Sequence, residues 1–433
     1  MEHTPFMPTS LCRSLRWLVA GSAFALAAAC GGGGGGSDPA PAATNAPIAA
    51  NAPADTPINA PVNTGNPVDT PAVAPPANQA AEAGAPATPQ QQTAIPVGIS
   101  LTQRNLGVVL DLATDAQGNT IAVLLDDNSR PFARKFAPDG SSVPYGPDGQ
   151  GLTLPGVSQS ANFSPATFYT GAAFAGSGEA YVSNIATKAA GFNAIRSAGG
   201  SILKVSLSGQ VTVLVSWPAD SENAVAPAAV TLGRDGALYF VDYLSGRLMR
   251  WTAQSGVSSV ADVQAIPNTP LSESRSFWIA AEGASRIYVL GRSARDAGAS
   301  MLKRVDGGIV SVIAGNTKGG ANGDGTGVTA AFLPVGGTLP GPSGMSLGSG
   351  GNLYVADGLV VRKVTPDGVV TTVAGQREIN AFAAGPLPGS LGALGAMTIG
   401  ADGVIQVMTD AAGSSPLASA KSGVKSLAKI RLE

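Results

Sequence analysis

The chain of 433 residues is predicted to be all-β: a six-bladed β-propeller preceded by a signal peptide and a disordered Pro/Ala-rich linker. Three observations predict this. Residues 351–375, GNLYVADGLVVRKVTPDGVVTTVAG, read as three short strands separated by two tight turns. Weaker copies of that unit recur along the chain, and self-similarity at a fixed period marks repeat architectures, propellers among them. The start of the chain, by contrast, is an apolar run followed by a long stretch with too few core-forming residues to fold.

Residues 1–29 read as a signal peptide. Arg13 and Arg16 form its positive region, and Trp17 to Ala29 form its apolar region. That run is too short for a spanning helix, which needs ~20 apolar residues. It ends Leu26-Ala27-Ala28-Ala29-Cys30, which resembles a bacterial lipobox, with the leucine four residues before the cysteine where the commonest pattern has three. The resemblance implies that Cys30 is lipidated and becomes the mature N-terminus. Gly31 at the next position, in place of Asp, implies sorting to the outer membrane. The expected location is therefore the cell envelope, with the membrane itself the first partner, reached through acyl chains on Cys30.

Residues 30–95 are dominated by Gly, Pro, Ala, Asn and Thr and contain no aromatic residue. Such a segment cannot bury enough apolar surface to offset its ordering entropy. The glycine run is a swivel, and the prolines stiffen the remainder, giving a reach from ~40 Å as a coil to ~200 Å extended. The folded domain is then 96–433.

Charge and cysteine usage narrow the possible partners. Lys and Arg number 26 against 28 Asp and Glu, a net charge of −2. With no basic excess to neutralise phosphates, no nucleic-acid partner is expected. Of the two cysteines, Cys12 lies in the signal and Cys30 is the lipidation candidate. The folded domain thus has no thiol for a disulfide or a metal.

Aligned on 351–375, the domain divides into six units, although the periodicity also admits five or seven. The first turn of each is rich in Gly or Asp: Asp115-Ala116-Gln117-Gly118, Gly176-Ser177-Gly178, Arg234-Asp235-Gly236, Glu282 to Ser285, Gly348 to Gly351 and Ala401-Asp402-Gly403. These residues tolerate the positive φ of tight hairpins. Aromatic and β-branched strands follow, as at Leu238-Tyr239-Phe240-Val241 and Leu353-Tyr354-Val355. The third strands each carry a basic residue, namely Lys135, Lys204, Arg250, Lys303, Lys363 and Lys429. The reading is of outward groups whose stems lie on the blade surface, with a functional basic ring as the alternative. The last unit is one strand short, and Val97 to Leu101 is strand-like, so the two ends are expected to pair and close the ring.

YVAD followed by VVRKVTPDGVVTTVAG resembles an NHL repeat, and Gly323-Asp324-Gly325-Thr326-Gly327 with Ala330-Ala331-Phe332 and Pro334 resembles that family's linker into a repeat. The match is strong over 309–375, moderate over 230–262 and weak over 106–143 and 392–432. It implies a propeller of NHL type.

Connection lengths separate the two faces of such a disc. The first and third turns of each unit are short and share one face. The long connections, 184–200, 217–227, 262–275, 291–300, 315–343, 376–392 and 409–424, fall on the other. Long connections in compact domains are disproportionately functional, so a binding site is expected on that face. The candidates are Asp126, Asn184, Asp242, Asp357 and Asp410 at the ends of second strands, with Gly291 and Thr409 at the same position in their units. Arg196, Arg292 and Arg295 on the long connections are candidate contacts for an anionic or glycan ligand. The competing reading is that the carboxylates and amides simply hydrogen-bond the following turns.

The only histidine, His3, lies in the signal. Without His or Cys, the folded domain has no Ser-His-Asp, Cys-His or His-ligated zinc chemistry, and histidine-dependent propeller lyases are excluded too. Asn322-Gly323-Asp324-Gly325 lacks the EF-hand spacing, since the twelfth position is Leu333. No catalytic residue, metal or cofactor is expected. By fold analogy the domain is read as a binding or scaffolding module for an envelope protein or glycan, tethered in the periplasm or at the surface. The alternative is a metal-dependent hydrolase resembling the gluconolactonases, with Asn184, Asp242 and Asp357 imitating that family's ligands and its first glutamate unmatched.

Overall fold

The same five-residue turn recurs across the domain, and it sets the strand spacing. In a computed structural model, Gly118 N donates to Asp115 O at 3.0 Å and Asp115 N to Asn119 O at 3.0 Å. Equivalent pairs close the turns ending at Gly178, Gly236, Gly351 and Gly403 between first and second strands, and those at Gly140, Gly209 and Gly368 between third and fourth. Each glycine has φ between 75° and 92°, the left-handed region a Cβ disfavours. Ser129, at φ 60°, takes the corresponding place in the turn after Asp126.

The structure describes residues 97–103, 106–157, 166–187, 199–219, 221–263, 277–292, 300–315, 323–333, 341–410 and 425–433, all within the compact unit Thr88–Glu433. The first strand is β1 (Gly98–Gln103). Blade 1 follows as β2 (Val109–Thr114), β3 (Thr120–Leu125), β4 (Pro131–Phe136) and β5 (Ser142–Val143), with β6 (Leu152–Thr153) also on β4. Blade 2 is β7 (Ala166–Phe174), β8 (Ala180–Thr187), β9 (Gly199–Val205) and β10 (Val211–Trp217). Blade 3 is β11 (Pro227–Leu232), β12 (Leu238–Asp242), β13 (Arg247–Thr252) and β14 (Gly256–Asp262). Blade 4 is β15 (Phe277–Gly283), β16 (Arg286–Arg292), β17 (Ser300–Asp306) and β18 (Ile309–Ala314). In blade 5, β19 (Gly325–Thr326) adds to the outside of β20 (Pro342–Leu347), β21 (Leu353–Asp357), β22 (Val360–Val364) and β23 (Val369–Gly375). Blade 6 is β24 (Leu394–Ile399), β25 (Ile405–Asp410) and β26 (Lys425–Arg431), and its outer strand is β1.

The expected closure is therefore present. β1 pairs antiparallel with β26, Ile99 opposite Ile430. The innermost strands β2, β7, β11, β15, β20 and β24 contact one another in that order, and β24 returns to β2, so the blades form a ring around an axis. Closure completes the last blade and shelters the inner edges of all six within the ring.

Burial peaks in the middle strands of the blades and falls towards the rim. Every residue of β12 and β25 is buried, whereas β10 is largely exposed, with Val211 and Val213 in contact with water. A middle strand is covered on both faces by adjacent blades, so it reads as a continuous apolar run instead of an alternation. Polar groups tie the blades together as well. Tyr145 Oη donates to Gly178 O at 2.7 Å, Thr170 Oγ1 to Pro227 O at 2.7 Å, and Arg304 Nη1 to Pro366 O at 2.9 Å.

Three of the six basic residues of the third strands are ion-paired within their own blade. Lys135 meets Asp115 at 2.6 Å, Lys204 meets Glu179 at 2.7 Å, and Arg250 meets Asp235 at 3.4 Å, each carboxylate belonging to the first turn or the residue beside it. Tyr239 Oη also donates to Asp235 at 2.7 Å, and burial pushes its hydroxyl up to about 12. In blade 4 the residue at this register is Arg304, opposite Tyr288, and not Lys303, which lies opposite Val289 and donates to Val263 O. Lys429 is buried and donates to Pro138 O of blade 1. Burial pulls its ammonium below the ordinary lysine range, against the attraction of Asp402 and Asp139.

Candidate functional site

The strand-end residues singled out by the repeat do occupy one equivalent position. Asn184 lies opposite Tyr169, Asp242 opposite Pro227, Gly291 opposite Phe277, Asp357 opposite Pro342 and Thr409 opposite Leu394. Each thus sits where its blade's innermost strand enters from the long-connection face.

Their polar atoms are engaged locally. Asp242 accepts from Ala226 N at 3.0 Å, Leu244 N at 3.1 Å and Ser245 N at 3.2 Å. Asp126, past the end of β3, accepts from Asn128 N at 2.9 Å and Arg130 N at 2.7 Å. The Asn184 amide, oriented to satisfy its neighbours, donates to Pro155 O at 3.2 Å and Ser183 O at 3.0 Å. Asp410 is buried opposite Lys425. Arg196 and Arg295 lie outside the described residues, and Arg292 ends β16.

Asp357 anchors a larger network. It is fully buried with Arg362, 3.2 Å away, and accepts from Leu333 N at 3.0 Å. Arg362 also meets Asp324 at 2.9 Å and donates to Ala331 O at 3.3 Å and Gly323 O at 2.6 Å. Arg377 in turn meets Asp324 at 2.8 Å. Burial pulls the Arg362 guanidinium down while Asp357 and Asp324 hold it up. The Gly323–Gly327 segment is thereby clamped onto β23, where Gly325 pairs with Val370. These residues therefore seat an inter-blade linker on the fold. A buried pair of this kind needs both partners, because removing one leaves an uncompensated charge.

The ring of innermost strands surrounds a half-open cavity of about 160 Å³; the sequence pointed to a central channel but not to the residues that line it. One residue from each strand illustrates its lining: Asp111, Thr170, Ala229, Trp278, Ser343 and Met397. Five of the six strands break register at this level. Leu110, Thr170 and Ser343 are single extra residues, and in blades 3 and 6 two residues, Ala229-Val230 and Gly395-Ala396, oppose one. Such β-bulges kink a strand and re-aim its side chains, and they concentrate at barrel rims and beside active sites. Ala229 adopts φ 55°, a left-handed conformation that costs a non-glycine residue ~1–3 kcal/mol. The strands also approach backbone to backbone: a Cβ on Gly344 would lie 2.7 Å from Met397 N. Small residues near the start of β11, β20 and β24 were the available signal, but they say nothing of the extra residue.

Asp111 is the one charged side chain among the described lining residues, and Tyr169 Oη donates to it at 2.7 Å. None of Asn184, Asp242 and Asp357 lines the cavity. Among the described residues no group of three or more His, Cys, Asp or Glu is placed to hold a metal ion. The Asn184, Asp242 and Asp357 set therefore does not fit the cation that the lactonase resemblance implied.

A family profile for the teneurin NHL domain matches residues 212–399, from the outer strand of blade 2 through the innermost strand of blade 6. No curated protein sequence matches the chain. Among solved structures, a structural-genomics protein of unknown function from Bacteroides thetaiotaomicron is similar at 16% identity and TM-score 0.50, covering 77% of this chain and 76% of that one. An auxiliary nutrient binding protein from the same organism gives 12% identity and TM-score 0.47, over 77% and 73% of the two chains. Virginiamycin B lyase from Staphylococcus aureus gives 13% identity and TM-score 0.39, over 72% and 85%. Identities this low speak to fold alone. Taken with the ring of six four-stranded blades, the profile match identifies the folded domain as an NHL-type β-propeller.

Proposed function

We propose that this protein is an envelope-tethered binding module, lipidated at Cys30, whose propeller holds a protein or glycan on its long-connection face. The observation that carries this reading is the asymmetry of the disc. The turns 115–119, 175–179, 233–237, 348–352 and 400–404 are uniformly short on one face, whereas the spans between β8 and β9, β16 and β17, and β25 and β26 are long on the other. A rigid ring that presents variable segments on one side is the arrangement in which function is carried by loops on a scaffold. Scaffold of this type does not name its partner, so the binding class rests on the site. The strand-end carboxylates serve the turns, which favours recognition by the connections over catalysis at their base.

The test is capture from an envelope extract by the purified chain. Replacing Arg196, Arg292 and Arg295 together with serine abolishes capture if this face binds. Replacing Asp367 and Gln254, exposed on the opposite face, leaves it intact. Equal loss in both variants, or capture unaffected by the triple replacement, rejects the assignment of the face.

A further inference from the structure

We propose that the outer edge of blade 2, strand β10, docks a second copy of this chain, the two β10 strands pairing antiparallel about a two-fold axis at Thr212. The proposal does not depend on the macromolecular partner proposed above.

The outer strands of the six blades are finished in different ways. A sheet edge presents unpaired N–H and C=O groups, and soluble proteins shorten, charge or cover such edges. In blade 1 the outer strand is cut to the two residues of β5 and the two of β6. β14 turns Ser258 and Ser259 to water and ends on Asp262. β18 is met at Ala314 by Gly327, β23 is covered by β19, and β1 is met at Ile99 by Gly385. β10 has none of these protections. It is seven residues long, and among the described residues no strand or bridge lies on its outer side. Residues 205–217, VSLSGQVTVLVSW, contain neither charge nor proline. Val211 and Val213 are 51% and 59% exposed. Val370 holds the register of Val211 in blade 5, one residue past the bond that closes its turn, and it is buried.

The ladder shows which main-chain groups of β10 are free to pair. Ser206 N donates to Gln210 O at 2.9 Å. By the alternation of an antiparallel ladder, Thr212 then exchanges its bonds with Lys204. Val211 and Val213, opposite Val205 and Leu203, turn their N–H and C=O groups away from β9. The bulge at Leu214 bends the strand only beyond this stretch. With Thr212 on the axis, Val211 of each copy stands opposite Val213 of the other, and each such pair exchanges two main-chain bonds. Thr212 meets its own copy in a close non-hydrogen-bonded pair. The same patch thus serves both sides, as a two-fold interface requires.

The side chains favour this occupant. Val-Thr-Val reads alike in both directions, and β-branched pairs and Thr–Thr pairs stabilise neighbouring strands. Like charges set opposite each other would oppose the pairing, but β10 has none, and Lys204 beside it is held by Glu179 at 2.7 Å. A charged segment of another protein would find no complement in this strand. β10 runs from the short-turn face to the long-connection face, so antiparallel pairing points the two long-connection faces in opposite directions. An edge of this length buries less than the ~1,200 Å² of a standard interface, so the dimer is a concentration-dependent one.

The experiment uses the whole chain with Cys12 and Cys30 replaced by alanine. Sedimentation should show a monomer–dimer equilibrium with a Kd of about 1–100 μM. Thr212→Cys in this chain should form a disulfide-linked dimer on mild oxidation, since opposed residues of a non-hydrogen-bonded pair lie within disulfide reach. Ser258→Cys, on the other unpaired edge β14, should remain monomeric. Val213→Lys should raise the Kd at least about tenfold with the melting temperature unchanged, because a lysine on an edge strand blocks pairing. A chain that stays monomeric at about 200 μM, above the expected Kd, would overturn the proposal. So would a dimer that Thr212→Cys traps no better than Ser258→Cys, or one that Val213→Lys leaves intact. If either variant fails to fold, the sedimentation result together with the remaining variant decides.

Discussion

Ile99 and Ile430 stand directly opposite each other, 331 positions apart in sequence, in the antiparallel pair that makes the first strand of the domain the outer strand of its last blade. Ile99 is buried there, and on its other side its backbone exchanges two hydrogen bonds with Gly385, at 2.8 and 3.0 Å. The chain start is thus held between β26 and the connection that follows blade 5.

Ile99→Ala should lower stability by about 2–4 kcal/mol, the usual cost of an unfilled buried isoleucine site. Urea unfolding monitored by far-ultraviolet circular dichroism measures this. Native-state amide exchange should also show the loss concentrated in β26 and β1, since these strands lose their packing first.

Arg362→Leu should cost about 3–5 kcal/mol, because Asp357 would be left buried without its partner. Adding Asp357→Asn should restore a substantial part of that loss. A double-mutant cycle in urea reads the coupling, and additive single effects would contradict the pairing.

Stability should fall steeply in acid. Burial pushes the Asp115 carboxyl up, but the hydrogen bonds from Lys135 and Asn119 outweigh it and hold the group below the ordinary aspartate range. Asp235 and Asp324 are likewise lowered against burial, by Tyr239 and by Thr372 respectively, with nearby arginines assisting. A depressed folded-state pKa means that the unfolded chain binds more protons between the two values, so stability rises with pH there. The contribution is complete above about pH 5 and is lost as pH drops through the folded values, below the unfolded value of about 3.9. Asp115→Asn should flatten this acid limb, as followed by melting temperature from pH 2 to pH 7, and should lower stability at neutral pH by about 1.5–3 kcal/mol.

Cys30→Ala should move the protein from the membrane fraction to the soluble fraction, since acyl chains contribute ~0.8 kcal/mol per buried CH₂ and stable anchoring takes at least two lipid signals. Metabolic labelling with a tagged fatty acid checks the same point, and unchanged membrane fractionation without label would refute the anchor.

Much of the fold was legible because the turns carry it. Gly118, Gly178, Gly236, Gly351 and Gly403 each supply the left-handed residue of the same hairpin, so strand ends could be placed by eye. Ile99 and its neighbours were recognisable as the missing strand because β26 ends one strand short of a full blade. Registers were harder. The first turn of blade 4 contains only Ala284 and Ser285, and this shift hid Arg304 behind Lys303. The outer strand of blade 1 is broken into β5 and β6, which a repeat template does not anticipate. A central channel followed from the ring, but the residues lining the axial cavity were not legible. An extra residue such as Thr170 or Ser343 is defined by what opposes it across the sheet, and Asp111 and Trp278 line one cavity only because six separate strands converge. The carboxylates Asp242 and Asp357 were found, but their partners Ala226 N and Arg362 are set by three-dimensional packing.

The most direct test of the closed ring is a disulfide between Leu101→Cys and Ala428→Cys, in a chain whose Cys12 and Cys30 are replaced by alanine. Leu101 and Ala428 are opposed in the β1–β26 pair, and because the hydrogen bonds of Ile99 point to Gly385, they form one of the close non-hydrogen-bonded pairs that a disulfide can span. Mild oxidation should convert both thiols to one intramolecular bond, seen by mass spectrometry as the loss of two hydrogens, with a melting temperature above that of the reduced form. Two thiols that remain free and react with an alkylating agent in the folded protein would contradict the closure.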